Sequence, residues 1–123
     1  RMPYRRASGG QALNSHGQGY PQVEGQPAAW VALSMPIPGR EGLAQPVCSI
    51  AMLDPPTNPG HPVPWRVDSD LGIAPSRCIA GPWRLAQGEC TTSRYRLLLH
   101  AGPASAYDLA AAWDHFAATP ALP

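Results

Sequence analysis

The sequence predicts a mainly β fold, a β-sandwich with a single C-terminal α-helix. Three observations predict it. Apolar runs of strand length alternate with turns rich in proline and glycine. Apolar residues then occur at every second position in 90–100, and an apolar stripe of helical spacing follows over 109–116. A chain of 123 residues has room for one hydrophobic core, so we expect a single domain over 1–123. Its polar beginning, 1–12, is predicted to be flexible.

The first elements are a hairpin and a stiff loop. Strands are predicted over 28–34 and 47–53, each stopped by proline, with turn residues at 38–42 between them. Five prolines fall within 54–64, and proline lacks the amide donor that a central strand or a helix needs. This segment is therefore predicted to be an ordered, stiff loop, followed by a short strand over 65–67.

The last predicted strand covers 90–100 and has two different faces. We expect Tyr95, Leu97 and Leu99 to face the core, because apolar residues at every second position mark the buried side of a strand. The alternate face is predicted to be solvated or to line a concave polar surface, and it carries Arg94, Arg96, Leu98 and His100.

The predicted helix follows this strand. Ser105 is the expected N-cap, with Asp108 three residues later as a variant of the capping box. An apolar stripe then runs at helical spacing, and we assign it to core packing: Leu109, Ala112, Trp113 and Phe116. Thr119 and Pro120 end the helix.

The charge pattern excludes several classes of function. All nine basic residues are Arg, so Schiff-base chemistry and a P-loop, which need a lysine, are excluded. A net charge of +1 without a basic stripe argues against a nucleic-acid partner. The longest apolar runs, such as Leu97–Leu99, are far below the roughly 20 residues that cross a bilayer, and no signal-peptide pattern is present. We therefore expect no membrane partner and a cytoplasmic location.

The three cysteines form no Cys-x-x-Cys pair. Cys48, Cys78 and Cys90 are predicted to be buried, reduced thiols, with a Cys78–Cys90 bridge as the alternative. The four histidines also lack the spacing of a helical metal pair, so no metal and no cofactor are predicted.

The proline-rich loop carries the best candidates for a site. Asn58, His61, Trp65 and Arg66 have the composition of a sugar-binding wall, in which a ring stacks on the sugar and polar groups bond its hydroxyls. The alternative is that Trp65 only anchors the loop to the core. The candidates for acid–base chemistry are His61, Asp54 and Glu24.

Four stretches resemble, in the same order, the C-terminal part of the bacterial PmoA-like family: Asn14–Gln18, Gly25–Val31, Leu53–Trp65 and Tyr95–His100. The specific part is Asn-Pro-x-His-Pro-x-Pro-Trp at 58–65. The resemblance implies a soluble sandwich of the galactose-mutarotase-like supersandwich type and a carbohydrate-related setting. Because family members are longer at the N-terminus, it also implies that the chain is the C-terminal part of a longer sandwich. Asn14, which opens the first motif, joins the ligand-binding candidates.

The sequence departs from the family's pattern at three polar positions. His16 stands where the family has Glu, while Pro55 and Arg66 each stand where it has His. The resemblance therefore implies a conserved fold with weakened or lost catalytic chemistry, binding a sugar or sugar acid. A non-catalytic structural or interaction domain is the alternative. The oxygenase chemistry that the family's label suggests is the least favoured, since it needs three facial metal ligands.

Overall fold

The computed structural model describes residues 6–39, 42, 44, 46–68 and 72–120. They form a mainly β fold with two antiparallel sheets and one α-helix, as predicted. The strands are β1 (Gln11–Asn14), β2 (Trp30–Pro36), β3 (Val47–Leu53), β4 (Trp65–Val67), β5 (Ile73–Pro75) and β6 (Arg96–Ala101), and the helix is α1 (Leu109–Ala117). One sheet has the order β1-β2-β3-β6, and the other pairs β4 with β5.

The predicted hairpin is confirmed. β2 and β3 pair antiparallel from Trp30 opposite Leu53 to Pro36 opposite Val47. The predicted turn at 38–42 lies partly outside the described residues, as does the predicted flexible stretch 1–12, whose last two residues belong to β1. β4 is also confirmed, whereas the sequence pattern did not predict its partner β5.

The four-stranded sheet is covered on both faces at its centre. On one face, side chains of β2 such as Val31 and Leu33 pack against Trp65 and Val67 of the smaller sheet. On the other face, a second cluster joins the sheet to the C-terminal helix: Ala32, Ala51, Leu53, Ala104, Leu109 and Phe116. The chain therefore stacks a small sheet, a larger sheet and a helix in that order, and the two sheets are arranged as in a sandwich.

The predicted core face of the last strand is wrong at two of its three residues, while the Tyr95 ring contacts the core residue Trp65, with centroids 6.5 Å apart. Leu97 and Leu99, predicted as core, are 53% and 83% exposed. The opposite face is the covered one, because Leu98 packs into the cluster beneath α1 and Arg96 lies over the Phe116 ring. Alternation separated the two faces correctly, but the helix covers the one that carries the arginines.

The last strand is also shorter than predicted, beginning at Arg96 rather than at residue 90. The backbone of Arg94 is hydrogen-bonded by the Asn58 side chain instead of by a neighbouring strand. Since ladder bonding requires a backbone partner, the segment before Arg96 does not join the sheet.

The helix is confirmed, but its cap is not. Asp108 is the N-cap, and its Oδ1 accepts from the Ala111 N–H at 2.9 Å. Ser105, the predicted cap, lies in a short 3-10 turn. Tyr107 after that turn is extended, with φ −114° and ψ 135°, so the helix can begin only beyond it.

The cysteines are free thiols, so the Cys78–Cys90 bridge does not form. Cys78 and Cys90 are exposed and Cys48 is half-buried, which makes the prediction of buried thiols wrong. Both exposed cysteines lie between β5 and β6, Cys78 in a short 3-10 helix and Cys90 outside any helix or strand. Within the described ranges, no helix has the length and apolar character needed to span a membrane.

Candidate functional site

The proline-rich loop folds around a buried acid, Asp54, whose side chain is fully inaccessible. Its Oδ1 accepts from the Asn58 amide at 2.7 Å. Its Oδ2 accepts from His61 Nδ1 at 2.9 Å and from the Val63 N–H at 3.3 Å. A buried acid needs such donors to offset its lost hydration, so Asp54 determines the path of the loop.

The contact with Asp54 sets the orientation of the His61 ring. Because an ionised carboxylate can only accept, Nδ1 is the donor in this contact, and in the neutral imidazole Nε2 is the acceptor. Nε2 has no hydrogen bond to any residue of the described ranges, and the side chain is 16% exposed. Asp54 and His61, called the Asp54–His61 pair below, therefore present an acceptor nitrogen held by a buried acid.

Trp113 on α1 holds the other side of this imidazole. Its ring stacks on His61 with centroids 6.0 Å apart and planes at 18°. Its indole N–H donates to the Asp54 carbonyl oxygen at 2.6 Å. The sequence predicted Trp113 as core packing. The helical stripe gave no signal of this second role, because the Asp54 carbonyl that Trp113 bonds lies 59 residues away in the sequence.

Asn58 joins the loop to the segment before β6. Its amide group donates to the Arg94 carbonyl at 2.7 Å, and its oxygen accepts from the Arg94 N–H at 2.8 Å. With the further bond to Asp54, every donor of the amide is used. We call this arrangement the Asn58 clamp.

A cavity of about 510 Å³ lies beside the clamp. It is lined by Thr57, Asn58, Thr92, Arg94, Tyr95, Arg96, Phe116, Thr119 and Pro120. The guanidinium groups of Arg94 and Arg96 lie 4.9 and 4.4 Å from the centre of the Phe116 ring. Burial raises the pKa of the Tyr95 phenol above its ordinary value of 10.0, and the charge of Asp54 raises it further.

The structure brings together three predicted site residues, Asp54, Asn58 and His61, and leaves Trp65 and Arg66 apart from them. Trp65 is fully buried and its indole N–H donates to the Ala28 carbonyl at 2.8 Å. With no exposed ring face it packs as the anchor of the loop, which was the alternative interpretation. Arg66 points to the opposite, exposed side of β4, with Nε 3.9 Å from Asp68 Oδ2.

Glu24 and Asn14 support backbone elsewhere. A Glu24 carboxylate oxygen accepts from the Val67 N–H and so caps β4. Asn14 is fully buried, and its oxygen accepts from the N–H groups of His16 and Gln18 at 3.0 and 2.9 Å. This is the bonding of an Asx turn, which ends β1. Glu24 and Asp54 share no hydrogen-bond partner in the described part of the chain.

Within the residues that the structure describes, no three His, Cys, Asp or Glu side chains are grouped so that they could hold a metal ion. The geometry instead offers an imidazole on the Asp54–His61 pair and a largely apolar cavity whose lining includes two arginines and several hydroxyl-bearing residues. Chemically, the first can take a proton or a hydrogen bond, and the second can hold a polar small molecule.

In comparisons with known proteins, the family model described as "Family of unknown function (DUF6807)" matches residues 1–114. No curated protein and no solved structure matches the chain.

Proposed function

The chain belongs to the DUF6807 family, a family of unknown function, and from this premise and the site geometry we propose that it is a carbohydrate-related binding domain. In this proposal His61 Nε2 accepts a hydrogen bond, or a proton, from a hydroxyl group of a sugar or sugar-like ligand. The observation that carries the proposal is the Asp54–His61 pair, with Asp54 Oδ2 2.9 Å from His61 Nδ1.

The pair has the arrangement in which a carboxylate holds an imidazole for proton transfer. A buried acid on Nδ1 determines the tautomer and restrains the ring, so the other nitrogen acts as acceptor. Trp113 restrains the same ring from its face. Asp54 and Trp113 both fix the ring while Nε2 stays unbonded to the described residues. This is what we expect if Nε2 binds a ligand, and a purely structural histidine would not require it.

We propose ligand binding as the main function, and catalysis only as a secondary one. Hydrolysis of a glycosidic bond ordinarily uses two carboxyl groups that flank the bond. Asp54 is buried beneath His61, and Glu24 is bonded to the backbone of Val67, so neither is arranged as one of such a pair. This supports the expectation of weakened chemistry, in which His61 carries any acid–base step. Sugars are named as the ligand class because of the resemblance to the PmoA-like family, which stays a prediction.

The test is a titration of the full chain with a panel of neutral sugars and sugar acids, followed by tryptophan fluorescence. We expect the emission to change on binding, and we expect His61→Gln to lower the affinity for the ligand by about tenfold or more. This corresponds to the loss of one hydrogen bond to a charged or strongly polarised group. In Trp113→Phe the response should shrink, because that indole contacts the imidazole. His16→Gln is the matched control, since His16 bonds the Pro27 carbonyl away from the pair. If no member of the panel changes the emission, the proposal is wrong.

One observation favours the second candidate, a non-catalytic structural domain. The polar side-chain groups of Asn58 and Trp65 are used inside the protein and leave little for a ligand. On this alternative, His61→Ala and Trp65→Ala lower stability without any ligand phenotype. Thermal unfolding of both variants beside the titration separates the two candidates.

A further inference from the structure

We propose that the cavity beside the Asn58 clamp binds the carboxylate of a sugar acid, and that Arg96 is the residue that selects the acid over the neutral sugar. This inference rests on the proposed function and names its ligand class. It is carried by two guanidinium groups on a cavity wall that holds no acidic residue.

The positive charge of this wall is not balanced locally. Among the described residues, neither Arg94 nor Arg96 forms an ion pair with a carboxylate. The nine lining residues include no Asp and no Glu. An anion that enters the cavity therefore meets two cations and no acidic side chain among the lining residues, with Asp54 behind the wall, which favours it over a neutral molecule of the same shape.

Arg94 and Arg96 have different roles. Arg94 donates from Nη1 to the Pro120 carbonyl at 3.1 Å and from Nη2 to the Thr119 carbonyl at 2.6 Å. Its Nε is buried and has no hydrogen-bond partner in the part of the chain that the structure describes. Arg94 thus supplies charge, while its terminal N–H groups hold the chain beyond the end of α1.

Arg96 keeps its donors for a ligand. Its one hydrogen bond within the described ranges is a long one, from Nη1 to His115 Nδ1 at 3.4 Å. The guanidinium lies over the Phe116 ring, with its central carbon 4.4 Å from the ring centre. A planar guanidinium with unused N–H groups matches a carboxylate, which it can bond through two parallel N–H···O contacts.

The rest of the wall suits a hydroxylated molecule. Thr57, Thr92 and Tyr95 bring hydroxyl groups that can donate and accept. The Thr119 hydroxyl already donates to the His115 carbonyl at 2.8 Å, so it can only accept from a ligand. The volume of about 510 Å³ lies within the range of small-molecule sites. The Tyr95 phenol is protonated at neutral pH, and its pKa is raised further from 10.0 by burial, so it adds a donor and no negative charge. These groups favour a sugar acid over a simple inorganic anion.

The cavity also adjoins the Asp54–His61 pair. Asn58 lines the cavity with one side and donates to Asp54 with its amide. The charge of Asp54 acts on Tyr95, another lining residue. The Asn58 side chain therefore connects the cavity with the Asp54–His61 pair.

The test is calorimetric titration of the full chain with D-galacturonate, with D-galactose, which differs from it only at C6, and with inorganic phosphate. We expect galacturonate to bind about 10- to 100-fold more tightly than galactose, the value of a charge-assisted hydrogen-bond pair. Arg96→Gln should abolish that preference and Arg96→Lys should retain part of it, because lysine keeps the charge without the planar fork. Arg66→Gln, which removes the same charge from the exposed side of β4, should leave the preference unchanged.

Each alternative outcome bears on a stated claim. Equal binding of acid and neutral sugar, or a preference that persists in folded Arg96→Gln, overturns the inference and leaves the proposed function standing. Phosphate that binds as tightly as galacturonate also overturns it, because the wall would then be a general anion site. Failure of all three probes, together with a silent fluorescence panel, rejects both proposals. If circular dichroism shows that Arg96→Gln is unfolded, Arg96→Lys decides, and an unchanged preference there overturns the assignment of Arg96.

Discussion

Replacing Asn58 with Ala is expected to lower the free energy of unfolding by about 3 kcal/mol, through loss of the Asn58 clamp. The side chain is 5% exposed and makes three hydrogen bonds, all between 2.7 and 2.8 Å. The truncation leaves the N–H and carbonyl of Arg94 and one oxygen of Asp54 without their partner. Groups left unsatisfied in this way account for most of the cost of such a mutation.

The magnitude follows from the identity of the partners. The two bonds to the Arg94 backbone are each worth about 0.5–1.5 kcal/mol, and the bond to the Asp54 carboxylate about 1.5–3 kcal/mol. Asn58 also lines the cavity, so water can reach part of the vacated space and recover part of the loss. For a chain of 123 residues, about 3 kcal/mol corresponds to a fall in melting temperature of roughly 10 °C.

The assay is urea unfolding followed by circular dichroism, with amide hydrogen exchange at Arg94 as the local readout. Asn14→Ala is the matched control, because Asn14 is equally buried but bonds only partners within four residues. We expect it to cost about 2 kcal/mol, less than Asn58→Ala, since all three of its partners are neutral and belong to a partly exposed turn that can bond water. A loss below about 1 kcal/mol for Asn58→Ala, or unchanged protection of the Arg94 amide, would refute the clamp.

Three further outcomes follow from the structure. Trp113→Phe removes the N–H that donates to the Asp54 carbonyl, so thermal unfolding should show a loss of about 1–3 kcal/mol. The Tyr95 phenol should ionise above pH 10.0 in an ultraviolet titration, and Asp54→Asn should lower its pKa while leaving it raised, because burial is the larger cause. Since folding raises this pKa, the corresponding stability is present below pH 10.0 and falls as the pH rises through the folded value. Cys78 and Cys90 should both react with a thiol reagent in the absence of denaturant, as mass spectrometry of the labelled protein would show.

The parts of the fold that depend on local patterns could be predicted from the sequence. The hairpin of β2 and β3 follows from two apolar runs separated by turn residues, and α1 follows from a stripe of helical period. In the loop, Asp54, Asn58 and His61 converge because they are only four and seven residues apart. A stiff segment of that length keeps its polar residues close together.

The remaining features depend on which layers meet, and a local pattern does not encode that. Leu97 and Leu99 read as core by alternation, but their face of the sheet is open at β6, and the helix covers the arginine face instead. The clamp joins residues 36 apart, and the contact of Trp113 spans 59. Such contacts are consequences of packing, so no spacing rule could reveal them.

The cavity has walls from two distant parts of the chain, with Asn58 from the proline-rich loop and Phe116 from α1. A ligand that touches both walls acts as a cross-link between them and is lost when the helix undocks. Binding and helix docking are thus thermodynamically linked. A free ligand concentration of 100 times the dissociation constant would add about 2.7 kcal/mol to the stability of the form in which α1 is docked. The melting temperature of this domain then becomes a direct measure of occupancy, so that ligands can be sought among unknown compounds by heating alone.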